Sequence, residues 1–253
     1  MGMRRLLCLF VLLLCGPALG AERVWTSGTA YSMEKGRIEV GVFGPLRVGL
    51  KDDLSLEIHP IWALLDPHVG VHKGWTQAGQ WTIATRHGLN MPTPLLRFLA
   101  RPGIGGALAA DSVIPWIIAT DHQALMSKTV GEHDVVTLWA QLSFALSIGE
   151  SDYTTVHAPL AYPITTVFQR GVGLNAGVRF DGLIWKKLGY RWAIDVWSLP
   201  GADGDWALEE VLALTYIGSD RFSGHLGATL VQTAYPYGVN WHVLPAVDLN
   251  FAF

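Results

Sequence analysis

The sequence predicts an all-β protein, a transmembrane antiparallel up-and-down β-barrel of twelve strands (ten if two weaker segments are connections), preceded by a cleaved signal peptide. Three observations carry this. Apolar residues make up 50% of the 253 residues and charged residues only 15%, where roughly 25% charged is usual for a soluble chain. Beyond residue 20 no apolar run approaches the roughly 20 residues of a membrane-spanning helix. Segment after segment instead alternates apolar with small or polar residues at a period of two, which places one face of a strand in lipid while diluting the hydropathy of any window.

Residues 1–20 have the grammar of a secretory signal: Arg4 and Arg5, an apolar run broken only by Cys8, and Pro17-Ala18-Leu19-Gly20 ending in a small-x-small site. A lipoprotein signal at Cys15 is disfavoured because Leu14 is too bulky for the residue before a lipidated cysteine. The barrel domain is then 21–253. Both cysteines leave with the signal, which excludes a disulfide framework, a thiolate nucleophile and a Cys-ligated metal. Loss of Arg4 and Arg5 moves the formal charge from −3 to −5, and no basic stretch offers a nucleic-acid footprint. No cofactor is expected.

The elements follow in order. Residues 37–50 set Ile38, Val40, Val42, Leu46, Val48 and Leu50 against Arg37, Glu39, Phe43 and Arg47, and read as one strand turning at Lys51-Asp52-Asp53. Shorter strands are expected at 54–62, 68–75 and 80–86. A long connection holds one or two helical turns at 91–100, behind Pro94, before a strand at 116–128. Residues 135–148 alternate cleanly, Leu138, Leu142, Phe144 and Leu146 opposite Thr137, Gln141 and Ser143. After a second long connection at 150–168 come strands at 171–183 and 188–199, with Val178 and Phe180 opposite Arg179 and Asp181, and Trp192 and Ile194 opposite Arg191 and Asp195. The strand at 206–217 has an ambiguous facing, because Val211/Ala213 and Leu212/Leu214 are both apolar. Residues 221–232 and 241–253 close the series, the last with Val243, Pro245, Val247, Leu249, Phe251 and Phe253 on one face. Pro245 donates no ladder hydrogen bond and marks a candidate bulge.

A soluble sandwich or lipocalin-like can would alternate in the same way. Against it, the supposed solvent face is mostly Gly, Ala, Ser and Thr, and Trp62, Trp75, Trp116, Trp185, Trp206 and Trp241 lie at strand borders, as aromatic girdles do.

With its signal segment, alternating strands and terminal Leu249-Asn250-Phe251-Ala252-Phe253, the chain resembles bacterial outer-membrane β-barrel proteins. In that class the final strand with a C-terminal Phe is the signal recognised by the barrel-assembly machinery, and Leu249, Phe251 and Phe253 match it. The resemblance implies outer-membrane lipids and that machinery as partners and a monomer as the default state, and names no function. Such barrels have short periplasmic turns and long external loops. With the C-terminus in the periplasm, the stretches 87–115 and 150–170 fall outside and the turns near 51–53, 76–79, 185–187 and 218–220 inside. Eleven strands leave residue 37 starting from the wrong side, so a twelfth is expected within 23–31.

The faces opposite the apolar ones define an expected lumen: Arg37, Glu39, Arg47, Glu57, His59, Gln141, Asn175, Arg179, Asp181, Arg191, Asp195, His225, His242 and Asp248. Desolvation cost alone keeps such groups out of hydrocarbon. They serve either as a rigidifying network or as the lining of a passage, and a small passive pore or structural barrel fits both. The alternative is a lipid hydrolase, for which His87, Asn90 and Ser112 are the candidates near one long loop. His59, His68 and His72 suffice for a metal only if the register aligns them, and no metal is expected.

Overall fold

The computed structural model describes residues 26–103 and 107–253. The expected signal segment and the first residues of the expected N-terminal strand lie outside them. Twelve strands follow: β1 (Ile38–Gly41), β2 (Leu46–Lys51), β3 (Leu54–Ile58), β4 (His68–Ala78), β5 (Trp81–Asn90), β6 (Trp116–Val130), β7 (Asp134–Ile148), β8 (Val172–Trp185), β9 (Leu188–Ser198), β10 (Trp206–Ser219), β11 (Phe222–Tyr235) and β12 (Gly238–Ala252). Each pairs antiparallel with its sequence neighbour, and β1 pairs with β12, so the sheet closes on itself. Where strands pair, closure satisfies their backbone groups between neighbours, the condition for strands to cross a bilayer.

The count of twelve is met by a different route from the expected one. The apolar alternation over 37–50 is two strands, β1 and β2, joined at Val42-Phe43-Gly44-Pro45. Pro45 has no N–H for a continuing ladder, and an added Cβ on Gly41 would sit 2.7 Å from the Gly44 Cα, so only glycine lets the chain fold back this sharply. Residues 26–31 form no strand. They lie within the barrel, with Thr29 and Ala30 almost wholly buried.

The two long connections fall at one end of the barrel and the expected tight turns at the other, although the loop end also has the short connections 42–45 and 236–237. The end that carries Phe253 has turns of two or three residues, at Asp52-Asp53, Gly79-Gln80, 131–133, Lys186-Lys187 and Asp220-Arg221. Register shifts at Gly49/Lys51, Gly74/Thr76, Leu183/Trp185 and Ile217/Ser219 all fall beside these turns, where bulges bend a barrel rim. The opposite end carries the loops 59–67, 91–115 and 149–171. Two helices lie in the longer ones, α1 (Thr93–Leu99) and α2 (Ala161–Arg170). The first matches the expected turns behind Pro94. The second was not anticipated, although Gly171, left-handed at φ 89° with its amide on the Val167 carbonyl (2.8 Å), is the usual helix stop.

The outer surface is apolar: Val243, Leu226 and Leu146 are 70%, 66% and 62% exposed. The ambiguity at β10 resolves with Leu212, Leu214 and Tyr216 outward and Val211 and Ala213 on a cavity. Trp75 and Trp185 mark the turn end and Trp62, Trp116 and Trp241 the loop end, each at least half exposed; Trp206 is half-buried. These are two aromatic belts. Inside the loop-end mouth, Leu96, Ile114, Tyr153, Val156 and Phe168 pack on Ile117 and Ala119 of β6, each large side chain contributing about 1.5–3 kcal/mol by burial. The long loops thus fold inward over that side of the barrel. Burial pushes the Tyr153 hydroxyl up to about 12.

Candidate functional site

Below the mouth lie three adjoining cavities of about 410, 370 and 300 Å³. Neighbouring ones share Arg86, Gln123 and Gln141, or Arg191 and Val211. Two charged ladders stand in this space.

The first is built by register. Glu39 of β1 is opposite Arg47 of β2, and Arg47 opposite Glu57 of β3, so alternating signs meet across successive strands. Arg37 to Glu39 is 2.7 Å, Arg47 to Glu39 2.9 Å, Arg47 to Glu57 3.1 Å and Arg86 to Glu57 2.7 Å. Arg86 reaches in from β5 past Gly70, which faces Glu57 without a side chain in the way. Arg47, Glu39 and Glu57 are all less than a tenth exposed, so each charge depends on its partners to offset the cost of leaving water.

The second ladder is on β8 and β9. Asp181 faces Arg191 in the register; it accepts from Arg179 at 2.5 and 2.9 Å and from Arg191 at 3.0 Å. Two guanidiniums thus share one carboxylate. Beyond it Asp195 and Glu209 are cross-strand neighbours on one cavity wall, and Trp139 donates to Asn175 at 2.9 Å. In the twelve-strand ring β8 and β9 lie across from β1–β3.

Residues 26–30 run between the ladders. Arg47 donates to Thr26 Oγ1 at 3.3 Å, and the Ala30 amide donates to Ser127 Oγ at 2.7 Å. Gly28 passes the second ladder at φ +71°, where an added Cβ would lie 2.2 Å from Arg179 Nη1. The positive φ favours glycine there, and any side chain would also displace the Arg179 guanidinium.

The remaining expected residues are spread around this space. Gln141 donates to Asp121 at 3.2 Å. His225 Nδ1 is 2.8 Å from Thr215 Oγ1 and His242 Nε2 3.3 Å from Tyr235 Oη. Asp248 accepts from the Phe43 and Leu249 amides at 3.0 and 2.9 Å. His59 sits at the loop-end rim, its Nε2 3.0 Å from the Phe43 carbonyl. The His68 ring spans the His59 amide and the Asp66 carbonyl, while His72 is a separate buried residue. Among the described residues no group of three metal-ligating side chains is placed to hold an ion. Burial raises the Asp66 carboxyl above its ordinary value.

The catalytic candidates are not brought together. His87 meets His122 with the two rings tilted 58° to each other, Nδ1 to Nδ1 2.9 Å, and His122 in turn meets the outward Phe144. Asn90, three residues on, faces the 410 Å³ cavity. An offset of three puts two strand residues on opposite faces. Ser112 lies in the 91–115 loop, its amide turned onto Ala109. Arg86, Asp121 and Glu209 face the cavities and were missed; Glu209 was hidden by the ambiguous facing of its strand, Asp121 by the undivided alternation of 116–128.

No family model and no curated relative matches the chain. Solved structures similar to it include a bacterial polysaccharide outer membrane secretin (8% identity, TM-score 0.47, covering 86% of this chain and 69% of that one). Others are OccK11 (OpdR) of Pseudomonas aeruginosa (11%, 0.42, 86% and 57%) and the outer membrane channel DcaP of Acinetobacter baumannii (9%, 0.41, 83% and 62%). With its closed wall, apolar belt and charged interior, this chain has the fold of a bacterial outer-membrane β-barrel protein.

Proposed function

We propose that the barrel is a narrow passive channel for small polar solutes, and that residues 26–33 form its constriction. The observation that supports this most directly is the pair of charged ladders on facing walls with residues 26–30 between them. A solute crossing such a gap meets fixed charges of both signs, which favours small polar or zwitterionic species and opposes bulky apolar ones. Arg37, Glu39, Arg47, Glu57, Arg179, Asp181, Arg191 and Asp195 are then channel-lining groups, and the apolar loop cluster narrows the mouth above them. Leu249, Phe251 and Phe253, all outward-facing, serve as the assembly signal, and the protein works as a monomer. In planar bilayers the purified protein is expected to give discrete small steps, and Arg179→Ala to change their size or ion preference. Absence of any step, together with deacylation of added phospholipid, would replace the channel by a lipid hydrolase.

A further inference from the structure

The barrel wall is not of equal height all round. β12 runs fifteen residues, yet β1 pairs with only its last three, Asn250, Phe251 and Ala252, and with Phe253 just beyond it. The last backbone bond across this seam joins the Val42 amide to the Leu249 carbonyl at 2.9 Å. There the chain turns back, and the Asp248 carboxylate takes the Phe43 amide. Backbone bonds from Phe253 and Leu249 face β1, so by strand alternation Val247, Pro245, Val243 and Trp241 present their backbone groups to the same side. Among the described residues no strand pairs with them there. Pro245 fits this position because its missing N–H would have pointed to a side where, among the described residues, no strand pairs. The register with β11 is continuous past it, from Phe222↔Phe251 to Tyr235↔Gly238, so the expected bulge is absent.

Lipid tails cannot satisfy such backbone groups, which persist at membrane depth only where they line a wet cavity. One is present. The 300 Å³ cavity is bounded by Pro245 and Val247 of this edge and by Phe43 and Pro45 of the β1–β2 turn, and reaches Arg191 and His225 within the barrel. Its lip is apolar, with Phe43 69% and Val247 45% exposed. Arg47 and Arg191 line it beside Glu39 and Asp248, and Arg191 has only a shared carboxylate, that of Asp181, which also pairs with Arg179. The two acids that also line it are engaged, Glu39 by Arg37 and Arg47 and Asp248 by backbone amides.

We propose that this notch is a lateral portal and a binding site for a single-chain anionic amphiphile, its hydrocarbon at the Phe43–Val247 lip and its carboxylate or phosphate directed to Arg191. A strand of a second copy is a poorer occupant, because a proline in the exposed edge interrupts pairing.

The test uses the protein in nanodiscs of zwitterionic phospholipid with dansyl-undecanoate as probe, read by energy transfer from protein tryptophan. Saturable binding displaced by oleate and not by acetate is expected. Arg191→Ala is expected to remove the preference for the probe over its methyl ester, and Val247→Trp to weaken binding about ten-fold, a loss of roughly 1.4 kcal/mol, with conductance unchanged. Val247→Cys, labelled with a bulky maleimide after folding, repeats the block without burdening assembly, and heat-modifiable gel migration checks each variant. Non-saturable partitioning, or binding indifferent to both blocks, overturns the portal. So does a Val243→Cys disulfide dimer forming in native membranes, which would put a second copy on the edge. Loss of conductance in wild type with binding intact would remove the channel and leave the portal standing.

Discussion

The sector β1–β3 and the sector β6–β12 solve the same problem with different means. The second uses strands of eleven to fifteen residues, enough for the roughly 9–11 residues a tilted strand needs to cross a bilayer. Its stability comes from long backbone ladders and an apolar outer face. The first has strands of four, six and five residues, too short to cross unaided. It is held from inside, by the Arg37–Glu39–Arg47–Glu57–Arg86 chain and by residues 26–33 lying against it. A low wall therefore needs an interior, and a tall wall can leave its interior open.

The most severe way to break this contrast is Arg47→Ala. It leaves Glu39 and Glu57 buried without their shared partner and is expected to destabilise the short sector by about 3–5 kcal/mol, read as a lower urea midpoint for the heat-modifiable band. A charge on the tall wall ranks next. Leu212 points outward from the middle of β10, so Leu212→Arg is expected to cost about 2–4 kcal/mol. Phe43→Arg, by contrast, at the lip of the 300 Å³ cavity, can turn its guanidinium into that polar space and should cost under about 1 kcal/mol. Equal penalties would mean that the two sectors meet the same lipid environment. Gly28→Ala meets both a positive φ and Arg179, for about 1–2 kcal/mol of strain. Its sharper readout is a larger single-channel step as residues 26–33 shift, reversed when Ala30→Cys and Ser127→Cys are joined by a disulfide in the same chain. The smallest effect belongs to the exposed turn. The hydrogen bond from Lys73 holds the Asp53 carboxyl below its ordinary range, a contribution present at neutral pH and lost as pH falls through that lowered value. Because Asp53 is exposed, solvent screening leaves little of it, and Asp53→Asn is expected not to move the urea midpoint at pH 7.

What could be read before any coordinates differs between these sectors too. In β7, β8, β9 and β12 the apolar residues outnumber the ambiguous ones, and the outward faces follow from alternation alone. In 37–50 the same alternation runs unbroken through the turn, since Val42 and Leu46 keep the phase on either side of Gly44-Pro45. Periodicity cannot report a reversal that preserves it; the Gly-Pro pair was the available signal. The cavity residues show a parallel split. Glu39, Arg47 and Glu57 were expected on one face, but their order as a chain of pairs is a matter of register. Arg86 joins that chain only because Gly70 and Gly88 leave room. His87 and Asn90 looked like one site because they are close in sequence, and the two-residue period separates them.

By itself the sequence determined the class of solution: an apolar exterior, a polar interior, aromatic belts and an aromatic final strand, all of which follow from side-chain alternation along an extended chain in lipid. The tertiary structure decided where β1 stops, why Pro245 is tolerated, what fills the lumen and which charges meet. Those depend on how far each strand finds a neighbour, and pairing is a property of two segments distant in sequence, set by closure of the whole ring.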